Sequence, residues 1–147
     1  MDPADPNTLY AAMWQRVRRK WSDPRTEPSY SEGGIWKTSD AGRTWTEAND
    51  GLPPPQFRGR IGIDVARSNP NVIYAFVDNY EPGRPPRDGE RDAYTRPIFE
   101  ARIKSAEVYR SDNKGATWRK VTENNDFMTG HSGTYVGVRA DSRGSDR

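Results

Sequence analysis

The sequence predicts an all-β fold built from two consecutive four-stranded antiparallel units with two long loops. Three observations carry this. Short apolar runs, some alternating with a period of two, recur along the chain and are bounded by turn residues. Two pairs of segments repeat one another: Asp2–Ala11 resembles Asp64–Ala75, and Gly34–Trp45 resembles Glu107–Trp118. No segment holds a long apolar pattern at 3.6-residue spacing, so there is no candidate for a packed helix.

In chain order, the first unit supplies strands at Leu9–Trp14, Ile35–Ser39 and Trp45–Ala48 and lacks an opening strand. The second unit opens at Ile61, Ile63 and Val65, which alternate with Gly62 and Asp64 as a half-buried strand does. Val72–Val77 is a continuous apolar run long enough for an inner strand. Val108–Ser111 and Trp118–Thr122 complete four strands. Tyr135–Asp141 resembles Ile61–Asp64 and reads as the opening strand of a further unit. Tyr10 and Tyr74 are 64 residues apart and Trp45 and Trp118 are 73 apart, so the units differ by a loop insertion between halves. The chain divides into residues 1–57 (a partial unit), 58–128 (a full unit with a long loop at 79–104) and 129–147 (a truncated opening strand). Gln15–Gly33 is a second irregular stretch. Four-stranded antiparallel units repeated along the chain suggest the blades of a β-propeller. Two cannot close a ring, so the expected architecture is an incomplete propeller.

Composition agrees with thin, shared cores. Of 147 residues, 32% are hydrophobic and 30% charged, with 13 glycines and 12 prolines, which is too polar for one thick core. The 11% aromatic content argues against disorder. A net charge of +2 does not call for a nucleic-acid partner. With no cysteine, disulfides and thiolate metal sites are excluded. No apolar run is long enough to span a membrane, and Met1–Asn7 is too polar for a signal peptide.

The repeated turn has a direct chemical reading. In Thr38-x-Asp40-x-Gly42-x-Thr44-Trp45 and Ser111-x-Asn113-x-Gly115-x-Thr117-Trp118, the Asp or Asn accepts local backbone N–H bonds and closes a tight corner. Gly supplies positive φ, the hydroxyl adds a local bond, and Trp buries a large face on the sheet. A carboxylate needed for catalysis or a metal would not exchange readily for Asn, whereas a turn acceptor would.

These positions resemble the Asp-box (BNR) repeats of sialidase-like and sortilin-like propellers, in particular those of large bacterial proteins with sortilin-like and glycosyl-hydrolase-like repeats. The resemblance covers nearly the whole chain; Arg91-Asp92-Ala93-Tyr94 and Arg96-Pro97-Ile98 are also similar to that group. It implies that the boxes join the third and fourth strands of a blade as folding elements. It implies many blades and an extracellular or periplasmic location. On this reading the chain is a non-catalytic scaffold presenting loops to a protein or glycan. Its partners would be the remaining blades of a longer parent chain or further copies of itself, and no cofactor is implied. Start and stop at one phase of the repeat give the same expectation of a longer molecule or an assembly. The alternative is part of a glycoside hydrolase, sialidase-like or xyloglucanase-like; xyloglucanases share the architecture and use two Asp residues. Asp78, after the second strand, is the candidate such a resemblance offers.

The remaining candidates have plainer readings. His131 is the only histidine and lacks triad spacing. Arg16, Arg18, Arg19 and Lys20, flanked by Trp14 and Trp21, have the composition of a strand-binding patch but sit in a nearly neutral chain, so a solvated loop is expected. Asp88, Glu90 and Asp92 interleave with Arg87 and Arg91 without calcium-loop spacing, which reads as self-neutralisation. Trp21, Tyr30, Tyr80 and Tyr94 fall in the long loops and are candidate ligand-stacking aromatics. Trp36, Trp45, Tyr74, Tyr109 and Trp118 are expected in the core. No metal site is expected.

Overall fold

The computed structural model describes residues 1–14, 33–91, 95–97, 99, 103–123 and 138–144. It is all-β, with two antiparallel sheets. The first is three-stranded, in the order β1 (Leu9–Met13), β2 (Gly34–Thr38), β3 (Thr46–Glu47). A short 3₁₀ turn at Pro55–Phe57 leads to the second, four-stranded sheet: β4 (Arg58–Val65), β5 (Ile73–Pro82), β6 (Ile103–Ser111) and β7 (Arg119–Lys120). Each strand pairs with its sequence neighbour, so the connections are local.

Period-two alternation decides which side chains meet between the sheets. Tyr10 and Ala12 of β1, Ile35 of β2 and Ala48 beyond β3 join Ile61, Ile63 and Val65 of β4, Ile73, Ala75 and Val77 of β5, and Tyr109 and Trp118 in one core. Each large side chain fully buried there contributes about 1.5–3 kcal/mol.

The entry turns of the two units are bonded alike. In the first, the Asp2 N–H donates to the Thr8 carbonyl and the Thr8 N–H to the Asp5 carbonyl. In the second, the Ala66 N–H donates to the Val72 carbonyl and the Val72 N–H to the Asn69 carbonyl. Asp5 and Asn69 each accept from the backbone two residues on, at 3.0 and 3.2 Å.

Several expectations need adjustment. The outer strands β3 and β7 are two residues long: each ladder holds two residue pairs, and one further bond, from the Ala48 N–H to the Ile35 carbonyl and from the Val121 N–H to the Val108 carbonyl, ends it. β5 runs on to Pro82 and β6 begins at Ile103, so the expected loop at 79–104 is shorter at both ends. The apolar signal stops at Val77, but the ladder continues through Asn79↔Ser105 to Pro82↔Ile103 after a register shift, with Lys104 paired to Glu81 at 2.7 Å. Residues 138–141 are not in a strand; 135–137, like 15–32, lie outside the described residues.

Candidate functional site

The two corners form the same bonds. In the first, the Thr38 hydroxyl donates to Asp40 at 2.7 Å and accepts from the Asp40 and Gly42 N–H groups. Asp40 accepts from the Thr44 N–H at 2.9 Å and the Thr44 hydroxyl at 2.6 Å. In the second, Ser111 donates to the Asn113 amide oxygen at 2.9 Å and accepts from the Asn113 and Gly115 N–H groups. The Asn113 oxygen accepts from the Thr117 N–H at 2.9 Å. One bond reverses: the Asn113 amide donates to the Thr117 oxygen at 2.9 Å. Gly42 and Gly115 have φ of 90° and 81°. Each corner is also tied to the entry turn, with the Ala41 N–H on the Asn7 carbonyl and the Lys114 N–H on the Asn71 carbonyl, both at 2.9 Å. Bonds from the Thr44 hydroxyl, the Thr44 N–H and the Thr38 hydroxyl hold the Asp40 carboxyl down at about 2. Its lone pairs are spent inside the turn, which leaves it unsuited to act on a substrate.

The tryptophans that end the corners differ. Trp118 is 6% exposed, and its indole N–H donates to the Ala48 carbonyl of the other sheet at 2.8 Å. Trp45 is 41% exposed and donates to Gly42 of its own corner at 3.1 Å. The expectation of a core Trp45 is therefore corrected: the same position is buried only where a second sheet covers it.

Trp45 instead lines a groove of ≈ 890 Å³ on the face of the first sheet opposite the shared core, with Met13, Trp14, Trp36, Glu47 and Arg58. Arg58 is buried; its guanidinium donates to the Pro53 carbonyl at 2.5 Å and the Gly33 carbonyl at 3.0 Å. Burial pulls its pKa down against the opposing charge of Glu47. Arg60 lies over the Trp14 ring at 4.9 Å. Glu47 is the one acidic residue among the described lining residues, so these residues hold no carboxyl pair of the kind that glycoside hydrolysis requires. The sequence signal for this groove is weak: its tryptophans are legible, but which face they occupy depends on strand register.

A second cluster went unpredicted. Glu107 is 2% exposed and accepts from Asn79 at 2.8 Å, the Tyr109 hydroxyl at 2.7 Å and Lys120 at 2.8 Å. Burial pushes its pKa up, but the bonds from Lys120, Tyr109 and Asn79 outweigh that and leave it lowered. Burial and the bond to Glu107 drive the Tyr109 phenol far above its ordinary value. A phenol so held does not ionise near neutrality, and the cluster reads as a satisfied ion pair between a buried carboxylate and a half-exposed lysine. The clue in sequence was the period: Glu107 alternates onto the face of Tyr109.

Asp78 is 3% exposed in β5, opposite Ala106, and does not line the groove. Tyr80 is corrected from loop to strand: it is 8% exposed at the end of β5, packed over Gly59, where a Cβ would come within 2.5 Å of its ring. Trp21, Tyr30, Tyr94, Asp92, His131 and the Arg16–Lys20 cluster lie outside the described residues. Glu90 is engaged by Arg84 through two bonds of 2.8 Å and by the Arg87 N–H. Among the described residues no group of three His, Asp or Glu is placed to hold a metal ion, and no helix is long and apolar enough to cross a membrane. No protein-family model and no curated protein sequence matches the chain.

Proposed function

We propose that this chain is a non-catalytic scaffold of the Asp-box propeller type, sortilin-like in its repeats, two of whose blades are the sheets described above and whose loops present a protein- or glycan-binding surface. One observation carries the reading: the two corners, 73 residues apart, close with matching bonds although one holds Asp and the other Asn. A position that accepts either residue works as a turn acceptor. The buried carboxylate of Glu107 is consumed by three donors, and the described residues of the groove include a single acid, which supports binding over hydrolysis.

Two assays test this. On xyloglucan and sialylated glycans, wild type and Asp78→Asn are expected to be equally inactive; turnover by wild type that disappears in Asp78→Asn would establish the glycosidase alternative. On glycan and peptide arrays, a Trp21/Tyr30/Tyr94→Ser variant is expected to lose binding while keeping the wild-type melting temperature. Retained binding would remove the loops from the account.

A further inference from the structure

The groove of the first sheet is built as a row. Trp36 of β2 stands between Ala11 of β1 and Glu47 of β3, the residues paired with it on either side. Met13 lies two residues beyond Ala11, paired with Gly34, and Trp45 lies two residues before Glu47, at the opposite end of the row. At about 3.4 Å of rise per residue, Trp45, Trp36 and Met13 mark three levels about 7 Å apart, a platform about 14 Å long. Both ends of the platform meet solvent: Trp45 is 41% exposed and Met13 56%. Ala11 and Gly33 add no large side chain to its floor.

The polar groups beside the row are held in place. Gly34 has no side chain at the point where a Cβ would come within 2.8 Å of the Asn49 amide and 2.9 Å of Arg58 Nη1, so both can lie against β2. Asn49 accepts from the Ile35 N–H at 2.7 Å, which fixes its amide. Two backbone carbonyls orient the Arg58 guanidinium. The Asn49 amide donates to Glu47 at 3.4 Å, a long bond that a closer partner can displace. The described lining holds one base and one acid, Arg58 and Glu47, and is neutral in sum. A cation bound over the indoles would meet Arg58, and an anion would meet Glu47. One cation, Arg60, already lies over the Trp14 ring at 4.9 Å.

A ligand that fits such a row is uncharged, offers apolar faces to the indoles at intervals, and carries donors and acceptors at its edges. Sugar rings have this form, with C–H groups on their faces and hydroxyls around their rims. We propose that the groove binds a neutral oligosaccharide, its rings stacked along Trp36 and Trp45 and its hydroxyls bonded to Glu47, Asn49 and Arg58. A volume of ≈ 890 Å³ is near the upper end for small-ligand sites and has room for more than one ring. The inference goes beyond the proposed function, because this site is a strand face and not a loop.

Isothermal titration calorimetry of the full chain with cellohexaose, mannohexaose and a galacturonate hexamer tests it. At least one neutral hexamer is expected to saturate the protein by about millimolar concentration, and the anionic hexamer should not bind. Trp45→Ala should weaken the neutral ligand at least about tenfold, with near-UV circular dichroism showing that the variant is folded. Glu47→Gln leaves Arg58 unopposed and should begin to bind the galacturonate hexamer. Phe99→Ser, at a residue 85% exposed and outside the groove, should titrate as wild type does. Should Trp45→Ala fail to fold, the Trp36 and Trp45 indole N–H resonances of wild type should still shift on titration, and static resonances overturn the proposal. So does a wild type that binds neither neutral hexamer, or binds all three alike. The Trp21/Tyr30/Tyr94→Ser protein should keep this binding in solution, where a ligand too weak to survive the washing of an array is still read. Binding lost there and kept in Trp45→Ala would place the sugar on the loops, which overturns the groove and leaves the proposed function intact.

Discussion

Asp40 and Asn113 occupy the same place and show what the corner asks of a residue. Both present an oxygen to a backbone N–H four residues on, at 2.9 Å. Only the partner hydroxyl turns round, donating to Asp40 from Thr44 and accepting from Asn113 through Thr117. Asp40→Asn is thus expected to fold with a wild-type spectrum. The Asp40 carboxyl is held at about 2, below its ordinary value of 3.8, so its contribution to stability is complete above pH 4 and lost as pH falls toward 2. Thermal melts across that window should show a smaller acid loss for Asp40→Asn than for wild type; identical losses would contradict the assignment. Gly115 separates backbone from space. An added Cβ would sit 3.5 Å from the Tyr10 ring, an ordinary contact, so only its φ of 81° opposes a side chain. Gly115→Ala should cost about 1–2 kcal/mol in urea unfolding.

At the scale of elements, the packing between sheets sorts the tryptophans. Trp118→Ala removes a buried ring and the bond to Ala48 and should cost about 3–5 kcal/mol, whereas Trp45→Ala, at dilute concentration, should cost less than about 1 kcal/mol. Equal losses would mean that the sheets do not stack as described. In the β5–β6–β7 ladder, Glu107→Ala strands Asn79 and Lys120. The cost in urea unfolding should be about 2–3 kcal/mol, below that of a fully buried pair because Lys120 remains half in water. The lowered pKa of Glu107 places its contribution above the ordinary carboxylate range; that contribution fades as pH falls through it. Much of this level was legible in sequence. The seven strands among the described residues fall on segments that apolar alternation and turn residues mark; the five longer ones have a covered face, while β3 and β7, exposed at both residues, are marked by the corner and tryptophan that precede them. Two features were not. The end of β5 carries Asp78, Asn79 and Tyr80, polar or amphipathic residues hidden by lateral bonds that no hydropathy pattern records. Trp45 and Trp118 share one local sequence motif, yet their burial differs by what lies across the sheet, a tertiary fact. The corners were legible because their bonds are closed within eight residues.

Across the whole molecule, a polar chain without a thick core holds together by sharing one layer between two thin sheets, sealed at Gly51, where a Cβ would come within 2.0 Å of the Trp118 carbonyl, and by the Trp118 N–H on the Asp50 carbonyl. The most direct test of that arrangement is hydrogen exchange of the tryptophan indole N–H groups followed by NMR. The Trp118 indole, bonded to Ala48 in the shared layer, should be protected nearly as strongly as the backbone amides of β5, while the Trp45 indole should exchange far faster at dilute concentration. Comparable fast exchange at Trp118 and Trp45 would mean that the two sheets do not share a core.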